Sequence, residues 1–310
     1  MTITQLEYII AVEKYRHFGK AAEHCGVTQP TLSMQIQKLE EEWKVNLFDR
    51  TRKPIVPTQI GTRVVTQAKI VLQESKRIED ILQLTRGVFQ GTFRIGIIPT
   101  ISPYLLHRIV TPFQKAYPDV QCIFQEAHTD RLVQMVRDDV VDVAILATPL
   151  DESGVTEIPL YYEPFMAFIH PNHRLAKEAF VLNSELRLED MLLLSEGHCF
   201  RNSVLNMCDA KRNGSDHKLT LETGNFETLI RLVRAGHGMT LIPYLMAIDL
   251  SEEDRKWVRP IAEPRPIREI GLLHAKSQLK TQLIKALADV IRANVPERLL
   301  DKDGKLLSPR

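Results

Sequence analysis

Cysteine is scarce in this chain. There are four in 310 residues, Cys25, Cys122, Cys199 and Cys208, and no Cys-x-x-Cys pair among them. That count excludes a disulfide-stapled scaffold. Together with an N-terminus unlike a secretion signal, it predicts a reducing, cytoplasmic setting in which any disulfide is transient and regulatory. No apolar run approaches the roughly 18 residues of a membrane span, so no membrane partner is expected. An excess of one charge is also missing. Forty Lys+Arg face thirty-nine Asp+Glu, and bulk charge therefore argues neither for nor against nucleic acid. Repeats and low-complexity tracts are absent. What is present is 44% apolar residue, ample for real cores, in a length that suits two or three domains.

Two of the four cysteines fall in one stretch, Leu192–Cys208, LLLSEGHCFRNSVLNMC. Cys199 lies between Gly197-His198 and Phe200-Arg201, and nearby positive charge favours the thiolate, the reactive form. After Arg201 the chain reads as a short helix, with Val204 and Cys208 at the i, i+4 spacing of a buried face. A helix over that interval separates the two cysteines by roughly 13 Å of rise. A disulfide needs Cα atoms within about 7 Å. The two cannot pair while the helix stands, so pairing would demand refolding, and a refolding segment is a switch. A core Cys208 beside an idle Cys199 is equally open on these residues alone. Cys25 and Cys122 read as inert core thiols.

At the N-terminus, residues 4–15 predict an amphipathic helix with Leu6, Ile9, Ile10 and Val12 as its stripe. A second helix, Phe18–Cys25, ends at Gly26. Thr28 caps a third, with Pro30 in its first turn and Leu32, Ile36 and Leu39 facing inward. Gln29, Thr31, Ser33, Gln35 and Lys38 are left outward, with no acid before Glu40. Such a face can offer hydrogen bonds to base edges without repelling phosphate, although alone it is no more than a solvated surface. Next comes LFDRTRKPIVPTQIG, a two-stranded wing with Arg50, Arg52 and Lys53 at its tip, placed to touch phosphates.

With the wing in view, HFGKAAEHCGVTQPTLSMQIQKLEEEWKVNLFDRTRKPIVPTQIG closely resembles the winged helix-turn-helix of LysR-type transcriptional regulators. The Ala21-Ala22 pair, Gln29-Pro30, Ser33, Gln35-Ile36, Leu39-Glu40, Leu47-Phe48, Arg50-Thr51, Thr58 and Gly61 carry the likeness. It implies double-stranded DNA as partner. Gln29, Pro30, Ser33 and Gln35 would contact bases or sugars, and Thr31, Lys38, Arg50 and Arg52 the backbone. Pro54, Pro57 and Ile60 depart from the usual pattern and leave the wing contacts open.

From Thr58 the chain reads as one helix to about residue 88. Val64, Ala68, Val71, Ser75, Ile78 and Leu82 recur at the spacing of a coiled-coil seam. A homodimer is the natural reading, with two-fold related operator half-sites. The expected layout is a DNA-binding domain over 1–60, a linker dimerisation helix over 61–90, a regulatory domain over 91–300 and a loose polar tail over 301–310.

Beyond residue 91 short apolar strands alternate with helical patterns. TFRIGIIP, VQCIFQEA, VDVAILA, MAFIHP, LLLSE, GMTLIP and IGLLHA are the strand candidates, and helices fit near 102–117, 129–139, 225–236 and 278–293. This predicts an α/β, Rossmann-like regulatory domain of mostly parallel sheet. Pro-rich crossings near 159–164 and 260–266 divide it into two subdomains, in the manner of a periplasmic binding protein. Ligands in such folds bind at the carboxyl ends of strands, where Thr100, Thr129 and Cys199 all fall. Taken singly, Thr100 and Thr129 read as helix N-caps before ligand groups, and each could be both.

GIIPTISPYLL, QEAHTDRL, EGHCFRNSVLNMC and FETLIRLVRAGHGMTLIPYL resemble the hydrogen-peroxide sensors of that family. The likeness implies that Cys199 attacks peroxide and becomes a sulfenic acid, which Cys208 resolves to a disulfide. Thr100 and Thr129 would hydrogen-bond the peroxide, while His198 and Arg201 would support the thiolate and the reduced loop. Asn202 stands where an acid is common. The expected protein is an activator of oxidative-stress genes with RNA polymerase as a further partner, a homodimer or homotetramer, and no cofactor. The alternatives weighed are a regulator sensing an organic metabolite in the same cleft, which His237 could help to bind, and a thiol peroxidase, for which a DNA-reading head has no use. A zinc site from His198, Cys199, Cys208 and His217 is disfavoured by the adjacent His-Cys pair.

Overall fold

Thr2 starts the first helix because its hydroxyl accepts the Gln5 N–H while the Gln5 side chain accepts the Thr2 N–H. This reciprocal cap fixes α1, Ile3–Tyr15. The computed structural model describes residues 1–85, 89–208 and 224–309; the side chains of 73, 76, 77 and 79–85 are outside the described set. His17 Nδ1 accepts the N–H groups of Gly19 and Lys20 to begin α2, Phe18–His24. Gly26, at φ +68°, makes the left-handed turn after it. Thr28 caps α3, Gln29–Trp43, with Pro30 in the first turn, and Lys44 ends it in the left-handed conformation. β1, Phe48–Asp49, and β2, Val56–Pro57, form the antiparallel wing, and α4 runs over Gln59–Thr85. Gly61 is required at the start of α4, since a Cβ there would lie 1.9 Å from the Leu47 carbonyl oxygen.

The core of this unit joins Leu6, Ile9 and Val12 to Leu32, Ile36 and Leu39, and takes Val65 and Ala68 from α4. Here the structure differs from the uniform seam expected along α4. Ala68 is buried in the unit's own core, and Val64 and Val71 pack against it, while Ile78 is 62% exposed. The first half of the seam is thus committed at home, because α1 offers an apolar face beside it. Leu82 lies among the side chains that are not described.

The chain divides into two compact units, Met1–Gly87 and Val88–Arg310. The second holds β3 (Gly91–Ile97), α5 (Ser102–Ala116), β4 (Val120–Glu126), α6 (Thr129–Arg137), β5 (Val143–Thr148), β6 (Val155–Ile169), α7 (Cys199–Met207), α8 (Phe226–Arg234), β7 (Met239–Pro243), α9 (Tyr244–Asp249), α10 (Glu252–Arg255), β8 (Val258–Pro260), β9 (Pro266–Ala275), α11 (Thr281–Ala293) and β10 (Lys305–Leu306). The strand order is β4-β3-β5-β9-β6-β7, with β8 beside β6 and β10 beside β9. β4, β3 and β5 form a parallel block, as βαβ crossovers require, and the short β10 is parallel to β9. β9 is antiparallel to both β5 and β6, and β7 and β8 are antiparallel to β6. The sheet is therefore mixed rather than mostly parallel, because the two crossover strands travel between subdomains in opposite directions.

β6 makes the division visible. Its residues Val155, Leu160 and Tyr161 belong to one core with Phe93, Ile95 and Ile145, while Phe165, Phe168 and Ile169 belong to a second with Phe226, Leu229 and Ile242. Two further differences matter for the site. LLLSE is not a strand: Met191 makes a single bridge to Met239, and the Leu192 and Leu194 carbonyls accept side-chain donors, Thr240 Oγ1 and Arg201 Nη1. Nor is the tail loose, since β10 pairs with the start of β9.

Candidate functional site

Cys199 is the first residue of α7. That position leaves its own N–H and that of Phe200 without intrahelical partners, and both favour a thiolate there. The side chain is only 7% exposed. Burial pushes the thiol up from its ordinary value, and the charge of Arg268 and the hydroxyl of Thr129 oppose that rise. Thr129 begins α6, and its buried Oγ1 finds no nitrogen or oxygen partner among the described residues, which leaves the Cys199 sulfur beside it as the group it serves. That hydroxyl can turn toward sulfur or toward an incoming oxygen. Thr100 follows β3 and is 1% exposed; its Oγ1 and carbonyl accept from Arg268 Nη1 at 3.3 Å and Nη2 at 3.2 Å. Thr100, Thr129 and Cys199 thus share one small buried place around a guanidinium.

That guanidinium is the residue the sequence reading missed. Arg268 lies in β9 and is held by Glu163 of β6, Nε at 3.0 Å and Nη2 at 2.7 Å from Oε2. Glu163 Oε1 accepts the Leu245 N–H at 2.7 Å. Arg268 also stacks over Phe200, 5.1 Å from the ring centroid. The signal was present, because both crossing strands carry charge among apolar residues, Glu157 and Glu163 in β6 and Arg268 and Glu269 in β9. Buried opposite charges in facing crossovers should pair.

His198 is buried, and desolvation first and His128 second hold its imidazole below the ordinary histidine range. The two rings meet edge to face at 4.5 Å. Neutral His198 therefore brings no fixed positive charge to the thiol, and Arg268 supplies it instead. Arg201 Nη1 donates to the Leu194 carbonyl at 2.9 Å, which pins the 192–198 loop to α7. His237 is exposed, and His217 lies outside the described residues.

Cys208 caps the far end of α7, 2% exposed, with its Sγ 3.9 Å from Met191 Sδ. Burial pushes its thiol up to about 11. The two cysteines belong to different cores, Cys199 to that of β3 and β5 and Cys208 to that of β7 and α8. A reduced α7 stands between them, and neither is bonded.

In the first unit the exposed surface of α3 carries Gln29, Pro30, Met34 and Lys38. Met34, 59% exposed, was not among the residues singled out beforehand. Thr31 Oγ1 lies 2.9 Å from the Thr28 hydroxyl. Ser33 is half-buried, as is Gln35, whose carbonyl and side-chain oxygens accept from Gln5. Arg50 reaches Glu40 at 2.7 Å and stacks on Phe18, and Arg52 pairs with Asp49 at 3.1 Å.

Residues 3–62 match the family described as bacterial regulatory helix-turn-helix protein, lysR family, and residues 86–296 match the LysR substrate binding domain. The chain is 35% identical to the DNA-binding transcriptional dual regulator OxyR of Escherichia coli K12, over 95% of this chain and 96% of that one. It is also 35% identical to the hydrogen peroxide-inducible genes activator of Pectobacterium carotovorum, over 95% and 97%. Among solved structures, a full-length OxyR variant from Pseudomonas aeruginosa is similar with a TM-score of 0.75 at 32% identity, over 95% of this chain and 99% of that one. OxyR from Porphyromonas gingivalis is similar at 0.66 and 28%, over 71% and all of its chain.

Proposed function

The chain belongs to the LysR family of bacterial transcriptional regulators, and from that premise we propose that it controls transcription in response to hydrogen peroxide through Cys199 and Cys208. The observation that carries this is a buried thiol at a helix N-terminus, flanked by Arg268-bound Thr100 and by the Thr129 hydroxyl, which has no nitrogen or oxygen partner among the described residues. Those two threonines can hold both ends of one peroxide. The Cys199 thiolate attacks the nearer oxygen, the O–O bond breaks, and the leaving hydroxide takes up the thiol proton as water. Sulfur is oxidised by two electrons to the sulfenic acid. The Cys208 sulfur then displaces that hydroxyl as a second water, and the S–S bond forms.

An organic metabolite finds little room at this place. Thr100, Thr129, His198 and Cys199 are each at most 7% exposed. The reading places residues 1–60 on DNA, with Gln29, Pro30, Ser33 and Gln35 toward bases and Thr31, Lys38, Arg50 and Arg52 toward phosphates. The linker over 61–90 joins two copies along the outer half of the α4 seam, where Ile78 is exposed, and a dimer or tetramer meets a two-fold operator and RNA polymerase. The regulatory domain, 91–300, does no turnover of its own. No helix among the described residues is long and apolar enough to cross a membrane.

The test adds one equivalent of hydrogen peroxide to reduced protein and maps disulfides by mass spectrometry, beside Cys199→Ser. The expected product is a Cys199–Cys208 linkage, absent from the variant. Two free thiols after treatment would sink the reading.

A further inference from the structure

The C-terminal residues reach α7. Lys305 N–H donates to the Arg265 carbonyl at 2.7 Å and Leu307 N–H to the Ile267 carbonyl at 2.9 Å, so β10 lies parallel to the start of β9. Leu307 then packs against the second core, which contains Phe200, Val204 and Cys208. Finally the Ser203 hydroxyl donates to the Ser308 carbonyl at 3.2 Å. Ser203 is 3% exposed and sits midway along α7, between the two cysteines. One short segment thus ties the helix that separates the thiols to the strand that carries Arg268.

We propose that the C-terminal segment is a strap that controls the resolving step, with Ser203 as the residue through which it holds α7. The inference rests on the peroxide reading above. In that step the Cys208 S–H gives up its proton, the S–S bond forms, the Cys199 S–O bond breaks, and water leaves. The Cys208 sulfur must travel from one core to the other, and it cannot do so along an intact helix. Unwinding α7 pulls Ser203 from Ser308 and disturbs the apolar seat of Leu307. The strap therefore opposes resolution and leaves the first step, at the other end of the helix, unchanged. It sets how long the sulfenic acid persists before the switch commits.

Gly304 offers a way to loosen the strap without touching α7. Its φ is +147°, and a Cβ there would lie 2.3 Å from the Arg265 carbonyl oxygen. Gly304→Val should lift β10 from β9, and Ser203→Ala removes only the tie.

In the reduced full-length protein, both variants should speed amide exchange across 200–207, by about tenfold in Gly304→Val. After peroxide addition, disulfide formation should accelerate by a similar factor, while trapping of the sulfenic acid by a 1,3-dione shows the first step changed by less than about twofold. Wild-type exchange and wild-type closure in both variants would overturn the strap. Exchange needs no peroxide, so it decides the strap separately. A wild-type protein that never yields a trappable sulfenic acid would instead bring down the peroxide reading, and the resolving role with it.

Discussion

α3 and α7 both begin with residues assigned to function, yet they are held in opposite ways. α3 is capped at both ends and packed along one face. Thr28 accepts the Thr31 N–H, Lys44 closes the far end in the left-handed conformation, and Leu32, Ile36 and Leu39 are fully buried. Behind it, Glu40 Oε1 accepts the N–H groups of Leu47 and Phe48. α7 is nine residues long, has no side-chain N-cap and no acid in its first turn, and ends in extended Cys208. A helix of that length is not stable by itself. It stands because Phe200 packs on Phe165 and Phe226, at 4.8 and 5.0 Å between centroids, and because Arg201 and Ser203 are tied elsewhere. On the proposed function, a helix that reads DNA must persist, and one that separates two thiols must be able to go. Local capping serves the first, and borrowed contacts serve the second.

The largest test of that contrast lies beneath each helix. Arg268→Ala leaves Glu163, 1% exposed, as an uncompensated buried charge, which costs about 3–5 kcal/mol. Thermal unfolding of the regulatory unit should fall by roughly 10 °C, and peroxide oxidation of Cys199 should slow. The matching pair in the first unit, Glu40–Arg50, has an arginine 40% exposed, so Arg50→Ala should cost only about 1 kcal/mol. Equal losses in calorimetry would erase the distinction between a buried and a half-open support.

A second effect is that of pH. Burial raises the Cys199 thiol above its ordinary value, so the folded protein holds that proton more tightly than the unfolded chain. The stability this contributes is complete below the ordinary thiol pKa and is lost as pH rises through the folded one. Over the same window the thiolate becomes available. The rate of sulfenic acid formation should therefore climb with pH from 7 through 9, approaching about tenfold per unit. A plateau already reached at pH 7 would mean that Arg268 and Thr129 outweigh burial.

Smaller again is the cap itself. Thr28→Ala should lower the denaturant midpoint of the DNA-binding unit by the equivalent of about 1 kcal/mol. The corresponding position at α7, His198, makes no capping bond, so the two helices differ in what a truncation can remove. A Thr28→Ala midpoint equal to wild type would show that tertiary packing holds α3 as it does α7.

This difference also explains what could be read in advance. α1, α2 and α3 were legible to within a residue or two because Thr28, Pro30 and Gly26 are local signals, and the alternation that outlined β3, β4 and β5 is local as well. LLLSE looked like a strand because its leucines are buried, but Thr240 and Arg201 take the carbonyls that a ladder would need. The tail looked loose because its partners, Arg265, Ile267 and Ser203, are distant in sequence. Arg268 and Glu163 were missed for the same reason: each is unremarkable until the crossovers are laid side by side. The thiols, the threonines and Arg201 stand out through a motif, and Arg268 beside them only through the fold.

The smallest effect is the most direct probe of a helix meant to be lost. Asn202 is exposed on α7, and asparagine is a poorer helix former than alanine by roughly 0.5 kcal/mol. Asn202→Ala touches neither the Arg201 anchor nor the Ser203 tie. It should stabilise α7 by that amount and slow disulfide closure after sulfenic acid formation by about twofold, because the added stability belongs to the state that must unwind. The first step, read by sulfenic acid trapping, should keep its rate. An unchanged closure rate would mean that residue 202 is still helical when the slow event is passed, since unwinding at or before that event would enter the rate. The loss of α7 would then follow closure, and Arg201 and Ser203 would have no hold on the timing of the switch.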